Sequence, residues 1–192
     1  MRAIILASNS SRRKEILENL GVDFQVFGSN INEKIDEQLS PVEIAKYFAY
    51  AKAKDVSGKL NGSYVVIGAD TVVECEKILG KPQNEQDAYN MLKLLSGRAH
   101  RVITGFAIID CLTGQQFIDH ESTGVYFKKL KDQEIQNYIA TGEYIDKAGA
   151  YAIQGKASLF IEKIEGDYFN VVGLPVFKLG VALYNNFSIN LL

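Results

Sequence analysis

The first stretch with chemical content is Ser8-Asn9-Ser10-Ser11-Arg12-Arg13. It follows the apolar run Ala3-Ile4-Ile5-Leu6 and precedes a helical pattern of Ile16, Leu17 and Leu20 that Gly21 stops. A strand, a small polar loop and a helix start therefore meet at two arginines. Backbone N–H groups at a helix start, small hydroxyls and guanidinium forks all suit a phosphate group. First-turn arginines can equally be solvated surface residues. The positive end of the helix dipole disfavours them there, however, and a bound anion would offset that repulsion.

Other residues could join this loop. Asp70 closes the apolar run Tyr64 to Ala69. A carboxylate there either caps a turn or sits at the rim of a buried strand, where it could orient a metal or take a proton from water. Ligands of open α/β sheets collect at strand ends, which favours the second use. Lys52 shares a helical face with Ala45, Phe48 and Ala49. Its stem either snorkels along the core or aims the amine at a phosphate in a cleft. Lys81 lies on an extended segment between Gly80 and Pro82, and Glu33 lies in a polar loop; each is a weak signal alone. The small residues of Asp146 to Gly155 let backbone approach a flat ligand. Gln154 in that loop can donate and accept, as reading a base edge requires, or it is an exposed amide on a structural turn. His100 and His120 fall on separate strand segments without metal spacing and read as structural.

The elements that must position these groups alternate between strand and helix. Val22 to Val26 reads as a half-buried strand and Gly28 to Gln38 as a loop. Ser40-Pro41-Val42-Glu43 is a capping box with proline at the first helical position. Tyr64 to Ala69 reads as a buried strand, which Val72 and Val73 can extend before a turn at Glu74 to Lys77 and a return through Ile78 and Leu79. Asn84 caps a helix striped with Ala88, Met91, Leu92 and Leu95, and Gly97 ends it. Arg101 to Asp110 and Gln115 to Phe127 form a hairpin about Thr113-Gly114. A helix through Ile135, Tyr138 and Ile139 ends at Gly142, Leu159 to Ile164 reads as a strand, and Pro175 opens a last helix through Leu179 and Leu183. The hairpin breaks a simple βαβ rhythm, so the expected class is α/β with a mixed twisted sheet flanked by helices.

Composition excludes several roles. The 192 residues suggest one domain, 1–192, and a chain 47% hydrophobic and 23% charged is expected to be globular. A net charge of -2 gives no bulk field for nucleic acid or an anionic membrane, so any anion site must be a local basic pocket. Cys75 and Cys111 make neither a disulfide framework nor a zinc motif. No apolar run is long enough for a membrane span or a signal-peptide core, so a cytoplasmic location is expected.

Taken in order, these segments resemble the Maf family of nucleoside triphosphate pyrophosphatases over nearly the whole chain. Ser8 to Arg13 resembles its SxSxRR signature, Gly68-Ala69-Asp70-Thr71 its GADT, and Gly80-Lys81-Pro82 its GKP. Ser96-Gly97-Arg98 with His100, Val102, Thr104 and Gly105 is similar to SGRxHxVxTG, Asp146 to Gly155 to DKAGAYGIQG, and Asn170 to Pro175 to NVVGLP. Ser11, Tyr144 and Ala152 depart from the residues usual at their positions.

The resemblance implies a fold similar to inosine-triphosphate pyrophosphatases, with two lobes around a cleft. It implies metal-dependent (Mg²⁺ or Mn²⁺) hydrolysis of nucleoside triphosphates to the monophosphate and pyrophosphate. The Asp-Thr and Ile-Gln-Gly segments look like the branch acting on dTTP and UTP, with a housecleaning role against aberrant nucleotides. By position, Asp70 would accept the proton, and Ser8, Arg13, Glu33, Lys52 and Lys81 would bind substrate. Glu33 and Asp70 would hold metal, and Arg12, Thr71 and Gln154 would tune base choice. Such folds are typically dimers, so a homodimer is expected. Two other functions stay open: a pyrophosphatase for non-standard purines, and a nucleotide-binding regulator of septum formation without turnover.

Overall fold

The computed structural model describes residues 2–32 and 39–192. Its elements run β1 (Ala3–Leu6), α1 (Ser11–Asn19), β2 (Phe24–Val26), α2 (Pro41–Ser57), β3 (Tyr64–Cys75), β4 (Lys77–Leu79), α3 (Glu85–Leu95), β5 (Ala99–Asp110), β6 (Gln116–Phe127), α4 (Asp132–Ile139), β7 (Ile161–Glu165), α5 (Tyr168–Val172) and α6 (Val176–Phe187). Short 3-10 turns occupy Ala148–Ala150 and Lys156–Phe160.

The seven strands form one sheet in the order β2-β1-β3-β5-β6-β7, with β4 also paired to β3. β1 runs parallel to β2 and β3, and the remaining pairs are antiparallel. The sheet is therefore mixed, as the broken βαβ rhythm predicts. Its strands alternate between two apolar faces, as a period of two requires. Ile4, Leu6, Val65, Ile67, Phe106 and Ile108 join the larger core with α1, α3, α4, α5 and α6. Ile5, Val66, Ala107 and Ile109 face the other way, against Ala49, Ala53 and Val56 of α2.

Local chemistry sets the helix that matters most to the site. Ser40 Oγ accepts from the Glu43 N–H, and the Glu43 carboxylate accepts from the Ser40 N–H at 2.8 Å, so the capping box forms as read. α2 then lies unusually close to the sheet. A Cβ on Gly68 would stand 2.3 Å from the Ala49 carbonyl oxygen, and one on Gly105 2.3 Å from that of Ala45. Only glycine at these two positions permits that approach.

Three details differ from the sequence reading. β3 runs on through Val72 and Val73, as the sequence allows, and then through Glu74 and Cys75 of the expected turn, because β5 pairs with it from Val65 to Glu74; Asp70 is thus interior to a strand and not at its end. Leu159 and Phe160 belong to a 3-10 turn, and the strand starts at Ile161. The short helix α5, capped by the Asp167 carboxylate on the Phe169 N–H, has no counterpart in the sequence pattern.

Candidate active site

β3 shows how a carboxylate inside a strand can still reach a ligand. One edge pairs continuously with β5. The other edge pairs with β1 only as far as Ile67 and with β4 only from Val73. Residues 68–72 lie in the gap between those two neighbours, and Asp70 and Thr71 both line a cavity of ≈ 490 Å³ there. Alternation sends Asp70 to the α2 face, with Gly68 and Val72, and Thr71 to the opposite face, with Ala69 and Val73. The open edge lets one cavity draw on both faces of the sheet.

On the α2 face, Lys52 Nζ meets Asp70 Oδ1 at 2.6 Å, with both side chains largely buried. The lysine on an apolar helical face therefore aims into the cleft. On the other face, Arg13 is almost wholly buried. Its Nε donates to the Gly173 carbonyl at 2.7 Å, Nη1 to Ser8 Oγ at 3.2 Å, and Nη2 to Thr71 Oγ1 at 3.0 Å. Ser8 Oγ also accepts from the Ser10 N–H at 3.2 Å. Having accepted twice, the buried Ser8 hydroxyl keeps its proton for a further acceptor, and it lines the cavity. α1 starts here with neither a side-chain cap nor an acid in its first turn, so its positive end is uncompensated.

The opposite wall comes from Lys81 and the loop at Asp146 to Gln154. Burial pulls the Arg12 guanidinium below its ordinary range, partly countered by Asp146. Burial likewise lowers Lys147, and the neighbouring charges of Arg12 and Lys81 add to the effect. A desolvated cluster of like charges of this kind favours an anionic ligand. Gly149 donates its N–H to the Gly80 carbonyl at 3.0 Å, joining this loop to the segment that carries Lys81. Tyr151 anchors the loop from below, its hydroxyl 2.7 Å from His100 Nε2.

Of the residues singled out in the sequence, Ser8, Arg12, Arg13, Lys52, Asp70, Thr71, Lys81 and Gln154 all line this one cavity. Glu33 lies outside the described residues. Lys147 and Asp146 were missed as individuals; a lysine and an aspartate opening a loop of otherwise small residues were the available signal. Thr104 and Asn170 sit in segments whose signal in the sequence is the family resemblance alone. His100 is structural as read: burial lowers its pKa to about 4, and its partners are Tyr151 and the Phe127 ring. Ala152, a departure from the usual residue, lines the cavity, and Tyr144 packs against the larger core.

Fold and cleft together define a class: a mixed α/β sheet protein with a cation-lined cleft at the open edge of an interior strand. The chain belongs to the Maf-like protein family, whose model matches residues 3–186. It is similar to a dTTP/UTP pyrophosphatase of Alkaliphilus oremlandii, 65% identical over 192 residues and covering 100% of both chains. A dTTP/UTP pyrophosphatase of Clostridioides difficile is 50% identical, covering 98% of this chain and 97% of its own. Among solved structures, the Ham1 protein of Staphylococcus aureus aligns with 66% of this chain and 72% of its own, at a TM-score of 0.45 and 14% identity.

Proposed function

We propose that the chain hydrolyses nucleoside triphosphates, dTTP and UTP in particular, to the monophosphate and pyrophosphate, and so removes aberrant nucleotides. The observation that carries this reading is the Lys52–Asp70 pair at the open edge of β3, inside a cavity also lined by Arg12, Arg13, Lys81 and Lys147. The names of the full-length relatives support the substrate choice.

Cleaving the α–β phosphoanhydride requires positioning, charge neutralisation and an aligned water more than covalent chemistry. Asp70 takes the proton from the attacking water. Lys52, on its Oδ1, fixes the carboxylate and places a positive charge beside the reacting phosphate. Arg13, Lys81 and Lys147 hold the remaining phosphates, and the Ser8 hydroxyl and the α1 N-terminus donate to their oxygens. Arg12, Thr71 and Gln154 contact the base.

A divalent cation fits this donor set. No group of three or more His, Cys, Asp or Glu is gathered among the described residues. Mg²⁺ does not need one, since it binds through one or two carboxylates together with substrate phosphates. Asp70, with Glu33, would hold it, and when bound it would spread the charge developing on the phosphate oxygens.

The test is pyrophosphate release from a panel of nucleoside triphosphates with Mg²⁺, Mn²⁺ or chelator. Metal-dependent release from dTTP and UTP is expected. Turnover confined to purines would overturn the substrate, and nucleotide binding without any turnover would overturn the enzyme.

A further inference from the structure

Thr104 and Asn170 do not line the cavity, yet both are wholly buried and bonded to its lining residue Thr71 or to one another. Thr104 is paired with Thr71 across β3 and β5, so their side chains share a face. The proton of the Thr104 hydroxyl goes to the Asn170 carbonyl at 2.9 Å. A hydroxyl has one proton, so in the 2.9 Å contact between the two threonines Thr104 accepts and Thr71 donates. With its proton turned inward, Thr71 Oγ1 meets Arg13 Nη2 as an acceptor. A guanidinium offers only donors, so this polarity is the one Arg13 needs.

Asn170 secures a second acceptor. Its Oδ1 accepts from the Thr104 N–H at 3.1 Å, and its Nδ2 donates to the Val102 carbonyl and to Thr123 Oγ1, each at 2.9 Å. These bonds pin α5 to β5 and β6. Gly173 caps α5, and its carbonyl accepts from Arg13 Nε. Two of the three protein acceptors named for Arg13 are thus set from behind by Thr104 and Asn170.

We propose that Thr104, braced by Asn170, is a positioning residue that holds the Arg13 guanidinium in place for the substrate's phosphates. The kinetic part of its test rests on the pyrophosphatase reading; the binding part does not. Thr104→Val keeps the side-chain shape and the backbone N–H but removes the hydroxyl. It is expected to raise KM for UTP about 10-fold while kcat stays within about 3-fold, the signature of lost phosphate binding through a charge-assisted bond. Thr104→Ser, which restores the hydroxyl, should return KM to within about 2-fold of wild type. In an Arg13→Lys background Thr104→Val should add nothing further, because the group it positions is gone.

Calorimetric affinity for inorganic tripolyphosphate should follow the same order and needs no turnover. A wild-type protein without turnover would sink the function, while these affinities would still decide the role of Thr104. An unchanged KM and affinity in Thr104→Val, a Thr104→Ser variant as impaired as the valine, or full additivity with Arg13→Lys would each overturn the proposal. Should Thr104→Val fail to fold, Thr104→Ala, which also removes the hydroxyl but adds no bulk, takes its place. There, weaker tripolyphosphate binding supports the proposal and unchanged binding overturns it.

Discussion

On the strand side of the cleft, Arg13 and Lys52 are buried and tied to fixed partners: Gly173, Ser8 and Thr71 for the arginine, Asp70 for the lysine. On the loop side, Lys81 and Gln154 are exposed, and Lys147 donates to a nearby backbone carbonyl, that of Ile145, at 3.1 Å. The first arrangement suits a reacting centre, where groups already oriented need no reorganisation as charge develops. The second suits the part of a ligand that varies, because long exposed side chains can adjust to what arrives. One cleft thus combines a rigid wall, assigned to the reacting phosphate, with a compliant wall, assigned to the base and the outer phosphates.

If that division holds, substitutions on the two walls differ in kind as well as in size. Asp70→Asn on the rigid wall should keep nucleotide affinity measured without metal and lose ~10²–10⁴-fold in kcat, the usual worth of a general base. Full turnover in that variant would end the division at its most important residue. Next in size, acidification should weaken the protein through His100, which underlies Tyr151 on the loop side. Its pKa is 6.5 in an ordinary environment and about 4 in the fold, where burial favours the neutral ring. Between those values the unfolded chain binds a proton that the folded one refuses, so stability falls as pH drops from about 6.5 to about 4 and is flat below. The loss is on the order of 3 kcal/mol, and His100→Gln should unfold with a correspondingly shallower dependence over the same window. Equal slopes in denaturant titrations of the two proteins would refute it.

Arg13→Ala should raise KM about 10- to 100-fold and lower the melting temperature, since it removes charge-assisted bonds that also join three elements. A change in base preference without a change in KM would place Arg13 on the wrong wall. The smallest effect belongs to Gln154→Ala, expected to shift the kcat/KM ratios among triphosphates by about 3- to 10-fold with little loss of tripolyphosphate affinity. Unchanged ratios would leave the compliant wall without a reader.

Much of this arrangement is legible before folding because its signals are local. The Ser40-Pro41-Val42-Glu43 box, the Asn84 cap and the stop at Gly97 each act over a few residues, and each stands where the sequence puts it. Lys52 stood out because a charge on an apolar face needs a reason, and Asp70 supplies one. What escaped depends on residues far apart in the chain. Asp70 reads as a strand end because the apolar run stops there, whereas pairing with β5 carries the strand on to Cys75. Arg13 reads as a surface helix residue that an anion must compensate. Its acceptor at Gly173 lies 160 residues away, and nothing in the first loop announces it. Thr104 and Asn170 gave no sign beyond the segments that contain them, because a threonine's chemistry depends on which way its proton points.

The closeness of α2 to the sheet has its own consequence. Two absent methyl groups, at Gly68 and Gly105, set the height of the helix above β3 and β5, and Lys52 rides on that helix one turn beyond Ala49. The separation of lysine from aspartate is therefore gauged by residues with no reactive atoms. An alanine at either glycine would work as a shim beneath the helix, lifting the ammonium off the carboxylate while leaving every polar group in the cleft chemically intact. In a survey of random substitutions these two positions would register as essential to turnover, for reasons of clearance alone.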